Sequence, residues 1–126
     1  MVTFTEQQLA FLAGQRLGRL ATVDDRGRPH VVPVGFRVDR GRGTIEIGGH
    51  NLAGSKKFRD AAKHPDVAIV IDELASISPW TVRGVEVRGK AEAHSEGGDR
   101  LGPGFGSAWI RITPERIIAW GLEETG

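Results

Sequence analysis

The 126-residue chain contains no cysteine and no tyrosine. The first absence excludes disulfides, thiolate nucleophiles and cysteine-ligated zinc. The second removes the phenol from the possible acids of a reaction. No apolar run approaches the roughly 20 residues of a membrane-spanning helix. Residues 1–20 also lack the basic start, apolar centre and small-residue cleavage site of a secretory signal. A cytoplasmic protein with no membrane partner is therefore expected. A surplus of charge is missing too, since 17 basic residues face 16 acidic ones and the formal net charge is +1. That balance argues against a nucleic-acid binder, which needs a net-basic face. The four histidines His30, His50, His64 and His94 show no metal-ligand spacing and join no Ser–His–Asp arrangement. No metal and no catalytic residue is expected. His50 is the one candidate proton donor, with a polar turn residue as its plainer reading.

Glycine, by contrast, is plentiful at 18 residues, scattered at turns and not collected in a linker. Many short strands need that distribution. Thr5 with Gln8 forms a capping box, Phe4 and Leu9 form a staple, and Gly14 is a stop, so a short helix opens the chain. Strands are predicted at Leu17–Val23, Pro29–Arg37 and Thr44–Gly48. Pro33 requires a bulge or an edge. A helix runs from about Ser55 to Lys63, with Phe58, Ala61 and Ala62 as its apolar stripe, and His64-Pro65 ends it. The continuous apolar run 67–71 reads as a strand buried on both faces. Residues 73–80 read as a connection. Thr81–His94 alternates strongly, with a register break at Gly84. Residues 95–106 read as a mobile, glycine-rich loop, and the last strand pieces, 108–112 and 117–120, flank a turn at 113–116. One domain over 1–126 is expected. It is mainly β with short helices, its strands closing an antiparallel barrel.

One stretch carries chemistry. Gly48 to Arg59 reads as a strand end, a glycine-bearing turn and a helix start, with Ser55, Lys56 and Lys57 in the first helical turn. Free N–H groups and the positive end of the helix dipole gather there, and an anionic group such as a phosphate would be held. Two of only four lysines occupy that turn. The plain alternative is a solvated helix face.

Four blocks carry a resemblance: LATVDDRGRPHVVPVGF, IEIGGHNLAGSKKFRDAAKHPDVAIVID, PWTVRGVEVRGKAEA and IRITPERIIAWGL. In this order and spacing, over about residues 5–122, the chain resembles the FMN-binding split-barrel superfamily, which includes pyridoxamine 5'-phosphate oxidase. It is most similar to the branch of probable oxidoreductases that use the deazaflavin coenzyme F-420. The resemblance implies a six-stranded antiparallel split β-barrel and a homodimer with two cofactors in grooves between subunits. It implies an anion site at Ser55, Lys56 and Lys57, and a ring-lining strand at Val31, Val32, Pro33 and Val34. A turn at Gly49, His50 and Asn51 completes one side, and Trp80, Arg83 and Gly84 come from the partner subunit.

Two departures stand out. The oxidases carry basic residues at the start and end of the second strand, where this chain has His30 and Gly35. The chain given also ends shortly after Trp120, where the oxidases' substrate-binding segment would follow. The first favours coenzyme F-420 over FMN; the second, with the absence of tyrosine, means that vitamin B6 chemistry is not expected. The implied activity is hydride transfer to a small organic acceptor. A non-enzymatic cofactor carrier and a cofactor-less dimeric module are the alternatives.

Overall fold

A computed structural model describes residues 2–122. Helix α1 (Glu6–Ala13) is followed by strands β1 (Leu17–Val23), β2 (Pro29–Asp39) and β3 (Thr44–Ile47). Helix α2 (Lys56–Lys63) then leads to β4 (Asp66–Ile77), β5 (Trp80–His94) and β6 (Trp109–Trp120). The six strands close a barrel in the order β1-β2-β3-β6-β5-β4, with every described pairing antiparallel. The expected split-barrel class is therefore the observed one.

Alternation fills the barrel. Leu20, Ile45, Ile47, Ile69, Ile71, Val85, Val87, Ile110 and Ile112 point inward and are buried. α1 begins with the expected capping box, Thr5 accepting from the Gln8 N–H and Gln8 returning its side-chain oxygen to the Thr5 N–H. Its buried Leu12 closes the barrel beside Phe36 and Val38. α2 lies at the other end of the β1–β2 hairpin, where Lys56 approaches Asp24. Leu52, Phe58 and Ala61 of this region join the core. Among the described residues no helix is long and apolar enough to cross a membrane.

Several local expectations are corrected. Residues 73–77 continue β4, which meets β5 in a tight hairpin across Ser78-Pro79. The alternation there is obscured by a bulge between Leu74 and Ser76. Gly84 sits in unbroken register with Asp72 and Trp120, and the second irregularity falls between Arg88 and Gly89. The turn expected at 113–116 is that bulge inside a single strand β6. It is why Pro114 is tolerated mid-strand, and Gly89 is required because a Cβ there would lie 2.1 Å from the Thr113 carbonyl oxygen. The run 67–71 alternates between buried and half-buried positions instead of being buried throughout. Pro33 lies at an edge, because residues 29–35 of β2 pair with β1 alone among the described residues.

The glycine-rich stretch 95–106 is tied down at several points. It contains a single 3-10 turn (Gly98–Leu101). The Gly98 N–H donates to the Ser107 carbonyl at 2.7 Å, and the Trp109 indole N–H donates to the Glu96 carbonyl at 2.7 Å. The Gly106 N–H donates to the Gly49 carbonyl at 3.0 Å, fastening this stretch to the turn after β3.

Candidate functional site

The chain leaves β3 through Gly48 and Gly49 and turns on Asn51, whose φ of 53° is left-handed, a conformation asparagine tolerates better than most residues. A 3-10 turn (Leu52–Gly54) follows, anchored by buried Leu52. Ser55 then caps α2. Its hydroxyl accepts from the Phe58 N–H at 3.3 Å and donates to the Leu52 carbonyl at 2.6 Å. The N–H groups of Lys56 and Lys57 make no backbone bond among the described residues. These are the orphan donors of a helix start, facing outward with the positive end of the dipole.

The three basic side chains of this turn divide. The Lys56 ammonium is 2.9 Å from the Asp60 carboxylate and 3.8 Å from Asp24. It joins the β1–β2 turn to α2 and is already neutralised. Arg59 donates to the Gly54 carbonyl at 2.9 Å. Lys57 is half-buried and makes no ion pair among the described residues. Of the three, Lys57 is the cation available to an anion. The Asp24 turn behind Lys56 is tightly built. The N–H groups of Arg28 and Arg26 both donate to one Asp24 oxygen at 2.9 Å. The bond from Arg28 leads in lowering the Asp24 carboxyl from 3.8 to about 2.

The strand expected as a floor splits by parity. Val31 and Pro33 point outward and are exposed, whereas Val34 is buried in the core and Val32 packs against it. Only two of the four side chains can meet a ligand on the outer face. Beside them the unpaired edge of β2 leaves backbone donors and acceptors without a strand partner. Gly49 has no atom within 4 Å of where a Cβ would stand, so a ligand can approach its backbone closely. His50 is exposed at this turn, its ring against Gly104.

Trp80 lies at the tip of the β4–β5 hairpin with 70% of its surface exposed, next to exposed Ile77. Arg83 and Gly84 follow on β5. The face of Gly84 is covered from within the same chain, because a Cβ there would stand 2.4 Å from the Trp120 ring. Trp80, Leu74, Leu17 and Val31 all expose large apolar surface on outward positions of neighbouring strands.

A feature invisible in the one-dimensional pattern lies on β3. Glu46 points outward yet is 1% exposed, because three arginines cover it. Arg100 grips both carboxylate oxygens, at 3.1 and 3.3 Å. Arg37 and Arg111 stand at 3.7 and 3.9 Å. Arg100 and Arg111 also lie 4.3 and 4.8 Å from the Trp109 ring centroid, and His94 stacks on that ring. In sequence Thr44–Ile47 reads as ordinary alternation with Glu46 towards solvent, so no sequence signal marked it.

A closed barrel of six antiparallel strands with two short helices defines the class: an FMN-binding split barrel. The family described as pyridoxamine 5'-phosphate oxidase matches residues 4–121. The chain belongs to that family, an oxidoreductase class. It is 45% identical over 120 residues to the 5a,11a-dehydrotetracycline/5a,11a-dehydrooxytetracycline reductase of Streptomyces rimosus, covering 95% of this chain and 84% of that one. Among solved structures it is similar to the Group A Streptococcus protein HupZ, with a TM-score of 0.76 at 19% identity over 98% of this chain and 99% of that one. It is also similar to an FAD-binding protein of Mycobacterium smegmatis, with a TM-score of 0.68 at 23% identity over 94% and 96% of the two chains. These two likenesses speak to the fold.

Proposed function

We propose that the protein is a reductase that binds coenzyme F-420 and passes hydride to a small organic acceptor, working as a homodimer with its cofactor in the groove between subunits. FMN is the second cofactor reading. The observation that carries the proposal is Lys57. It is a half-buried ammonium without an ion pair among the described residues, beside two free helix-start N–H groups. Such a grouping favours a bound anion, and both cofactors carry a phosphate. When bound, the deazaflavin or flavin supplies the hydride chemistry.

The chain's own part is position and exclusion of water. Lys57 and the α2 start hold the anionic end. Val31 and Pro33 offer an apolar floor, and the open edge of β2 offers backbone hydrogen bonds to a ring's heteroatoms. The reductase activity of the 45%-identical relative supports the reaction class. The dimer is supported by the exposed Leu17, Val31, Leu74, Ile77 and Trp80, which a monomer would leave in water. Trp80 and Arg83 of a second copy would then form the opposite wall, while Gly84 lies covered by Trp120.

Titration with each cofactor, followed by tryptophan fluorescence, tests this reading. Binding at micromolar levels that weakens in Lys57→Ala is the expected result. No binding of either cofactor at tens of micromolar would sink it. Failure of the reduced complex to turn over any quinone or enone would leave the carrier reading in its place.

A further inference from the structure

The outward residues of β2 change character along the strand: Val31, Pro33, Gly35, then Arg37. Over about 20 Å, at the usual rise per strand residue, an apolar strip gives way to a bare backbone and then to a cation. At the Gly35–Arg37 end lies a cavity of about 120 Å³, bounded by Gly35, Arg37, Glu46, Gly48, Leu101 and Phe105. An apolar cavity of about 150 Å³ accepts a benzene ring, so this one suits the end of a planar molecule.

Its walls are built, and its charge is unbalanced. A Cβ on Gly48 would come within 2.9 Å of Leu101 and 3.3 Å of Phe105, so those side chains lie directly over the backbone. Gly35 has no atom within 4 Å of its missing Cβ, so the space above it is open. Arg100 satisfies both oxygens of Glu46 and in doing so holds the Leu101–Phe105 segment in place. Arg37 is then a third guanidinium on a carboxylate already occupied. It is 3.7 Å from Glu46 and makes no hydrogen bond among the described residues. Arg37, Arg100 and Arg111 together outnumber Glu46 and Glu92, the acids they approach. A planar fork of unused donors at the mouth of a flat, partly apolar slot fits a delocalised oxyanion.

We infer that this cavity is an acceptor subsite, receiving the end of a planar organic acceptor that bears an enolate-type or carboxylate oxyanion. Arg37 contacts the oxyanion. Glu46 and Arg100 are positioning residues that hold the Leu101–Phe105 wall. The inference rests on the reductase reading for its place in a reaction, but its binding claim can be measured alone.

The test uses calorimetric titration with two planar quinones, without and with cofactor: naphthoquinone, which is neutral, and lawsone, its hydroxy derivative, which is an anion at neutral pH. The wild-type protein should bind lawsone about tenfold or more tightly than naphthoquinone, the scale of one charge-assisted contact. Arg37→Gln should abolish that preference while leaving naphthoquinone affinity unchanged. Gly35→Val, whose Cβ would stand in open space within the slot, should weaken both quinones about tenfold or more. Arg37→Gln should not alter the affinity for coenzyme F-420 or FMN. Equal binding of the two quinones by the wild type, or no binding of either, overturns the inference. So does a loss of cofactor affinity in Arg37→Gln, because Arg37 would then serve the cofactor's own anion. Absence of cofactor binding with the quinone pattern intact would defeat the reductase reading and leave the subsite standing.

Discussion

Replacing Glu46 by glutamine keeps the shape of the side chain and removes the single charge that three arginines share. Breaking a buried ion pair by removing one partner costs about 3–5 kcal/mol. Here the loss is smaller, because the side chains of Arg37 and Arg100 are 52% and 45% exposed and can turn to water. Arg111, at 15%, cannot, and its buried Nε already lacks a partner. The expected destabilisation is about 2–3 kcal/mol. For a domain of this size that corresponds to a fall in Tm of roughly 6–15 °C. Urea unfolding of Glu46→Gln, Arg100→Met and the double variant provides the assay. Arg100→Met should cost about 1–2 kcal/mol, and the double variant should be more stable than the sum of the singles predicts by at least about 1 kcal/mol. Emission from Trp109 should change in the same variants, because Arg100 lies over that ring. A Glu46→Gln protein within about 0.5 kcal/mol of wild type, or strictly additive singles, would refute the reasoning.

Lys57→Ala should weaken cofactor binding about tenfold or more, with less salt dependence than wild type, as expected for a lost charge-assisted contact. Lys56→Ala should change cofactor affinity less, and its stability by about 0.5–1 kcal/mol, because its ammonium is spent on Asp60 and Asp24. Gly84→Ala, whose Cβ would overlap the Trp120 ring, should cost about 1–3 kcal/mol in urea unfolding and shift tryptophan emission to the red. Asp24 is held near 2 in the fold against an ordinary 3.8, so its contribution is present above the ordinary value and is lost as pH falls towards 2. Asp24→Asn should accordingly flatten the dependence of stability on pH across that window, as read by acid unfolding. Trp80→Ser should lower the mass measured by light scattering from dimer to monomer if the hairpin tip joins two copies.

Most of the fold was legible because its signals are local. The capping box at Thr5 and Gln8, the alternation of Thr44–Gly48, and the stop at His64-Pro65 each act within a few residues, and the structure keeps a helix, a strand and a helix end there. What failed was read from local chemistry where a long-range partner decided. Thr113-Pro114-Glu115-Arg116 has turn composition, yet pairing with β5 over its whole length holds it as strand and absorbs the proline in a bulge. Residues 73–77 lose their period to another bulge. The site was legible in part. Ser55 caps the helix start that the sequence led us to expect, and Lys57 is left without an ion pair among the described residues. The two neighbouring lysines could not be told apart, because Asp24 and Asp60 take only Lys56. Val32 and Val34 were grouped with Val31 and Pro33, although a strand sends alternate residues to opposite faces. Glu46 and Arg100 are 54 positions apart, and no spacing rule joins them.

The unpaired stretch of β2 has a consequence beyond ligand binding. An open strand edge is an invitation to another chain's strand, and such pairing would fill the slot permanently. Pro29 and Pro33 both lie on this stretch. A proline in a paired strand is tolerated with its nitrogen towards the free side, where it has no hydrogen to offer. The same two residues that deny a seventh strand its ladder leave Val31, between them, open to a flat ring. A peptide laid along this edge would need the missing donors, whereas a ring would not. Replacing both prolines by valine would restore those donors and open the edge to aggregation.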